Sequence, residues 1–194
     1  MIWFSGLARK FNKQRGFTLI ETVIALAITG VVAASVGTAL FQIQSAISSH
    51  SAHIAAVKQV ENAAHYINRD VQSAQVITPQ GSQGFPLVLT WVSWDSASTD
   101  YTTIVTYALN PPTSGSVQLT KRLQTYQADG SLNKDQTTVV AKYINYSTSS
   151  PSNTYCNYNA GNHTLTLQLS TTATSRDKQA TETRLLSIIP RPGF

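Results

Sequence analysis

Glu21 is the residue of this 194-residue chain that most invites a chemical reading. It is the only Asp, Glu, Lys or Arg between Arg15 and Lys58, and it opens an apolar run from Thr22 to Phe41 built of Val, Ile, Leu, Ala, Gly, Ser and Thr. A run of that length crosses a bilayer core of about 30 Å as a helix, which takes about 20 residues. A carboxylate inside it costs roughly 2.5–3.5 kcal/mol at the bilayer centre and less near an interface. Glu21 is therefore predicted to have a function, and the chemistry available to it is pairing with a positive charge. Ahead of it Arg9, Lys10, Lys13 and Arg15 stand without an acidic residue. They form a topology signal: basic residues stay cytoplasmic, which puts the C-terminal bulk outside.

The other reactive residue types do not assemble into a catalytic set. His50 and His53 are three apart and share a helix face, but no acidic or cysteine partner lies near them, so they read as solvated helix residues rather than metal ligands. The other two histidines are His65 and His163. There is no Gly-x-Ser-x-Gly elbow, and Gly81-Ser82-Gln83-Gly84 is a turn rather than a phosphate loop. Asp95 and Asp100 would bind a cation weakly at best. Asn145-Tyr146-Ser147 and Asn162-His163-Thr164 match a glycosylation pattern short enough to arise by chance. One of Trp91 and Trp94 is expected in the core; an exposed one would mark a contact surface. Cys156, the one cysteine, cannot form an intramolecular disulfide and reads as a buried or inert thiol, with pairing to another chain the alternative. No catalytic residue, metal or cofactor is predicted, and the chain is not expected to be an enzyme.

The net charge of +5 and a pI of about 9.4 hint at nucleic acid. Four of the 14 Lys and Arg precede Gly16, however, which leaves 10 against 9 acidic residues. Beyond the apolar run Lys121-Arg122 is the only adjacent basic pair, and phosphate binding needs several clustered cations. The composition argues against a nucleic-acid partner.

The elements that must carry these residues are a helix and a sheet. Ile43, Ile47, Ile54, Val57, Val60, Ala64, Ile67 and Val71 recur at helical spacing. No proline interrupts before Pro79 and no glycine falls between Gly37 and Gly81. One helix from about Thr18 to Ala74 is predicted, ~85 Å long at 1.5 Å per residue. Its first half is apolar all round and its second half amphipathic. Ser48 to Ser51 is its softest part. Glu61 with His65, and His65 with Arg69, are predicted to support the exposed face. After the Pro79–Pro86 turn the composition shifts to Thr, Ser, Tyr, Val and Leu. Strands are predicted over 87–92, 101–109, 117–123, 137–146, 164–169 and 185–189. Asp129-Gly130 makes a turn, and 147–162 and 171–178 are predicted as polar loops. Segregated helix and strands give an α+β fold, an antiparallel sheet burying one face against the helix's second half.

A basic flank before an apolar segment also describes a secretory signal peptide, but there the cut follows the apolar region. Here the distinctive junction, Arg15-Gly16-Phe17, precedes it. Gly16-Phe17-Thr18-Leu19-Ile20-Glu21 followed by an apolar helix resembles the N-terminus of type IV pilins and pseudopilins. An ordinary signal anchor with a chance glutamate would explain the span but not the junction. The resemblance implies cleavage by prepilin peptidase between Gly16 and Phe17, N-methylation of Phe17, and Glu21 as the glutamate at the fifth mature position. The new ammonium on Phe17 and the Glu21 carboxylate are each costly alone in a low-dielectric setting and much less so when paired. Such a pair forms within one helix or between subunits; the resemblance favours the second. Major pilins often carry a proline midway along this segment; here the matching position is Thr38, beside Gly37. Glu61 to Ala74, with Arg69-Asp70, and the Thr106-Tyr107 and Leu119-Thr120-Lys121-Arg122 stretches are similar to minor pseudopilin J of type II secretion and the related minor pilin W.

The implied organisation is a leader at 1–16, a transmembrane and assembly half-helix at 17–41, an amphipathic half at 42–78 and a β-rich globular domain at 79–194. The implied role is a minor pilin or pseudopilin in a type IV pilus or type II secretion pseudopilus, at the tip or in initiation. Its partners would be other pilin or pseudopilin subunits, prepilin peptidase, the inner-membrane assembly platform and, before assembly, membrane lipid. It would cross the bacterial cell membrane once, with its C-terminal domain outside, and then enter the fibre. The rival reading is a membrane-anchored extracytoplasmic module for adhesion or DNA uptake.

Overall fold

The computed structural model describes residues 16–94 and 100–190. The basic leader residues Arg9, Lys10, Lys13 and Arg15, and Asp95, lie outside this range. Helix α1 spans Leu19–Ser73. It starts where Thr18 caps it: the Glu21 N–H donates to Thr18 Oγ1 at 3.3 Å, and the Thr18 N–H donates to Glu21 Oε2 at 3.4 Å. This reciprocal pair is a capping box, two otherwise unpaired N–H groups satisfied at a helix start. The chain divides into two compact units, Met1–Gln44 and Ser45–Phe194.

In the first unit every described residue is exposed. An 18-residue window there has a mean hydropathy of 2.2, so this part of the helix is long and apolar enough to cross a membrane. Its hydroxyls are already satisfied. Thr29 Oγ1 donates to the Ala25 carbonyl at 2.7 Å, Ser35 Oγ to Val31 at 2.8 Å, and Thr38 Oγ1 to Ser35 at 2.8 Å. Polar side chains bonded back to the helix lose little on entering hydrocarbon.

The second unit packs the rest of α1 on an eight-stranded antiparallel sheet. The strands are β1 (Val76–Pro79), β2 (Leu87–Trp94), β3 (Asp100–Asn110), β4 (Gly115–Gln127), β5 (Leu132–Tyr146), β6 (Tyr155–Asn159), β7 (Thr164–Ser175) and β8 (Lys178–Ile188). They run in the order β1-β2-β3-β4-β5-β7-β6, and β8 also pairs with β7 along its length. Alternate residues point to the helix: Val105, Tyr107 and Leu109 from β3, Val117 and Leu119 from β4, and Leu165, Leu167 and Leu169 from β7 are all buried. The predicted α+β fold is the observed one.

Several local expectations are corrected. The helix stops at Ser73, and part of the span to 78 assigned to it is β1, which extends the sheet beside β2. The predicted loop at 147–162 contains β6. The predicted loop at 171–178 is instead a hairpin, β7 running to Ser175 and β8 starting at Lys178. Its Thr-rich sequence is polar, but threonine is β-branched and suits a strand; Thr171 is fully buried. The predicted helix face holds at Val60, Ala64, Ile67 and Val71, which are buried, but not in its N-terminal part. Ile43, Ile47 and Ile54 are exposed, and the sheet is met by Ser48, Ala52, Ala56, Val60, Ala63, Ala64, Ile67, Asp70 and Val71. Small side chains let the backbones approach: Thr171 Oγ1 donates to the Ala56 carbonyl at 2.9 Å, and Gln59 Oε1 accepts the Lys142 N–H at 2.7 Å. Isoleucines at Ser48 and Ala52 would hold the helix off. Finally, Glu61 pairs with Arg184 of β8 at 2.8 Å rather than with His65.

Candidate functional site

The N-terminal site is built on an open stretch. Gly16, Phe17 and Thr18 precede the helix and are exposed; a Cβ at Gly16 would meet nothing within 4 Å. Glu21 sits in the first turn, its carboxylate against the Thr18 N–H one residue beyond Phe17. The dipole of α1 favours a negative charge at this end. The sequence places Glu21 as a charge partner, but its capping role was also legible, since Thr18-Leu19-Ile20-Glu21 has capping-box spacing.

A second polar constellation lies within the globular unit. Asp70, on the buried face of α1, is 6% exposed and forms an ion pair with Lys121 of β4, which is 12% exposed. Tyr107 of β3 donates its phenolic proton to Asp70 Oδ2 at 2.6 Å. Burial first, and the Asp70 carboxylate second, push the Tyr107 phenol well above the usual tyrosine range, so it stays protonated. The Lys121 ammonium also lies 5.7 Å from the Tyr66 ring centre and 6.0 Å from that of Tyr107. Arg69 reaches the same carboxylate from the solvent side at 3.4 Å and is 5.5 Å from Tyr66. Asp70 thus accepts from three side chains. This is a satisfied structural staple between helix and sheet. A cavity of about 140 Å³ beside it is lined by Tyr66, Lys121, Leu123, Gln136, Thr138 and Val140.

Sequence reasoning placed Asp70 and Lys121 in a family-like pattern but not together. The signal was their phase. Asp70 shares the helix face of Ile67 and Val71, and Lys121 shares the inward alternation of Val117, Leu119 and Leu123. The adjacent Lys121-Arg122 pair is split by the pleat. Arg122 points outward to Asp135, at 2.9 Å from Nε to Oδ1, and its guanidinium holds the Asp135 carboxyl below the usual range.

The remaining candidates fall apart geometrically. His50, His53 and His65 are exposed. Among the described residues no group of three His, Cys, Asp or Glu side chains gathers to hold a metal. The proposed Asp95 and Asp100 site falls partly outside the described residues. Trp91 is half-buried against the core; the side chain of Trp94 lies outside the described residues.

Cys156 is buried on β6, and its thiol donates to the Gly84 carbonyl. Burial pushes the thiol up to about 12. Because its folded value exceeds the unfolded value of about 8.5, the neutral thiol is the form that folding favours. Its contribution is complete below about pH 8.5 and is lost as pH rises towards 12. At pH 8 the native chain should therefore resist a thiol reagent that labels the urea-unfolded chain at once. Its loss of stability above pH 9 should shrink in Cys156→Ala. Rapid labelling of the native chain at pH 8 would contradict this burial.

Comparison with known proteins adds one finding. Residues 11–37 match the family described as the prokaryotic N-terminal methylation motif, the type IV pilin signal, and the match spans the Gly16-Phe17 junction, Glu21 and the start of the apolar helix. No curated protein and no solved structure matches.

Proposed function

Starting from a chain that carries the signal of the type IV pilin and pseudopilin superfamily, we propose that this is a minor structural subunit of a type IV pilus or type II secretion pseudopilus. Proteins with this motif are structural rather than catalytic, are processed by prepilin peptidase and assemble with other pilin subunits. Here the peptidase cuts between Gly16 and Phe17, Phe17 becomes the N-methylated terminus, and Arg9, Lys10, Lys13 and Arg15 hold the leader in the cytoplasm. The chain crosses the cell membrane once, exports its globular domain, and leaves the bilayer for the fibre through the assembly platform. The divisions at 16 and 41 belong to this sequence of events, while the helical arm ends at Ser73 rather than at 78. A place near the tip or at initiation rests on the similarity of Glu61–Ala74 and the following strands to minor pseudopilin J and minor pilin W.

The observation that carries the reading is the methylation motif running straight into an apolar half-helix whose described residues are all exposed. Lipid covers that surface before assembly and neighbouring subunits cover it afterwards. Ile43 in the first unit, and Ile47 and Ile54 in the second, are exposed as well. In the fibre Glu21 neutralises the Phe17 ammonium of a neighbouring subunit, replacing a pair of isolated charges with a compensated one.

Mass spectrometry of the chain from its native membrane is expected to show a terminus at N-methyl-Phe17. A chain retaining residues 1–16 where the peptidase is present would sink the reading. Glu21→Ala and Glu21→Gln are both expected to insert and be cleaved but to lose at least about tenfold in incorporation, since each leaves the Phe17 ammonium uncompensated, at a cost of about 1.4 kcal/mol or more. The glutamine keeps a capping side chain. Normal assembly of Glu21→Gln would mean that Glu21 acts only as a cap.

A further inference from the structure

On the sheet face turned away from the helix lies a depression of about 480 Å³, lined by Gly115, Ser116, Tyr143, Asn145, Thr172, Thr174, Gln179 and Thr181. We infer that it is a binding site for an uncharged saccharide, with Tyr143 as the aromatic platform and the Asn145 and Gln179 amides as the hydrogen-bonding arms. This inference is independent of the assembly reading.

The depression is a product of register. Ile144 and Thr171 are partners across β5 and β7 and both point to the core. Their neighbours Asn145 and Thr172 therefore point outward. Ser116 faces Asn145 across β4 and β5. Thr172 faces Thr181, and Thr174 faces Gln179, across β7 and β8. Four strands thus contribute short polar side chains to one patch. Gly115 has no side chain at all, and the patch sinks between its taller neighbours.

Tyr143 stands beside it because of a bulge. Val117 pairs with Ile144, but Leu119 pairs with Ala141, so β5 carries one extra residue at Lys142-Tyr143. A bulge bends the strand and re-aims a side chain. The Lys142 N–H turns to Gln59 of the helix, and Tyr143 adopts φ 61 and is 49% exposed. A left-handed backbone is a genuine outlier for a bulky residue. Such strain persists where the surroundings enforce it, and it concentrates at ligand sites.

The chemistry of the lining selects the ligand class. No Asp, Glu, Lys or Arg lines the depression, which disfavours an ionic ligand. Its one aromatic residue, Tyr143, is half exposed. Among the described residues the side chains of Ser116, Asn145, Thr174 and Gln179 have no hydrogen-bond partner, while Thr172 and Thr181 bond each other at 2.9 Å. Open amides and hydroxyls around one ring match a pyranose, whose axial C–H bonds stack on an aromatic face while its vicinal hydroxyls bridge an amide. The volume lies within the ordinary range for small-ligand sites, about 300–1,000 Å³.

The test uses the full chain in lipid nanodiscs, because maltoside and glucoside detergents would themselves occupy the site. Tetra-N-acetylchitotetraose, cellotetraose and maltotetraose are the probes, read by saturation-transfer difference NMR. At least one is expected to receive saturation, with binding weakened about tenfold or more in Tyr143→Gly. Glycine suits φ 61, so this variant should fold as well as the parent in a thermal melt. Thr172→Val and Gln179→Leu, on neighbouring strands, are expected to weaken binding severalfold without moving Tyr143. No saturation of any of the three probes at millimolar concentration would overturn the inference. So would undiminished binding by folded Tyr143→Gly.

Discussion

Replacing Asp70 with alanine is expected to destabilise the globular unit by about 3–5 kcal/mol, the usual cost of leaving a buried charge unpaired. The Lys121 ammonium would lose its pairing partner, and the Tyr107 hydroxyl its acceptor. For a chain of this size that corresponds to a fall of roughly 6–20 °C in melting temperature. Urea unfolding of the membrane-reconstituted chain, followed by tryptophan fluorescence, measures it. Asp70→Asn should retain a bond to Tyr107 but not the charge, and fall between parent and alanine. The combined Asp70→Leu and Lys121→Met variant is expected to recover much of the loss, because apolar residues of similar volume often replace a buried pair at little cost. If Asp70→Ala alone lost less than about 1 kcal/mol, water would be reaching the pair and the burial described above would be wrong. Asp70→Leu and Lys121→Met made singly, with their combination, form a cycle that isolates the coupling.

Gly84→Ala should be nearly as damaging for a different reason. Gly84 has φ +76, and a Cβ there would fall 1.9 Å from the Cys156 carbonyl oxygen and 2.7 Å from its sulfur. The left-handed conformation alone costs of order 1–3 kcal/mol for a residue with a side chain. The overlap with the β6 backbone adds to it, so a loss above about 3 kcal/mol is expected. The loop must shift away from β6, breaking the bond from the Cys156 N–H to the Gln83 carbonyl at 2.9 Å. Gly130→Ala is the matched control: it has φ +82, but open space surrounds its missing Cβ. It should show only the conformational cost. Equal losses at the two glycines would mean that the contact with Cys156 contributes nothing. Adding Cys156→Ala to Gly84→Ala should rescue little, since the nearer clash is with backbone oxygen.

Both residues show where sequence reasoning reached and where it stopped. Gly84 was legible as part of a turn. Its contact with β6 was not, because that strand was read as polar loop: Tyr155 to Asn159 is short and interrupted by asparagines, and it is a strand only because β7 supplies partners. The helix's apolar periodicity was legible, but the eye follows the largest apolar residues. Here small residues, Ser48, Ala52 and Ala56, make the contact ahead of Val60, Ile67 and Val71.

What the sequence determined by itself was local: the Gly16-Phe17 junction, the placement of Glu21, the uninterrupted helical run, the break at Pro79 and the alternation of the main strands. These follow from hydropathy, spacing and backbone preference within a few turns or one strand, and need no partner. The methylation motif is of this kind, which is why it is recognisable without the rest of the fold. The tertiary structure decided what depends on register between elements distant in sequence. It brought Asp70 against Lys121 and Tyr107, set the Lys142-Tyr143 bulge against Gln59, and placed Asn145 and Gln179 across one depression. A shift of one residue in any strand turns its side chains to the opposite face. The chemistry of those sites therefore exists only once every strand has found its neighbour.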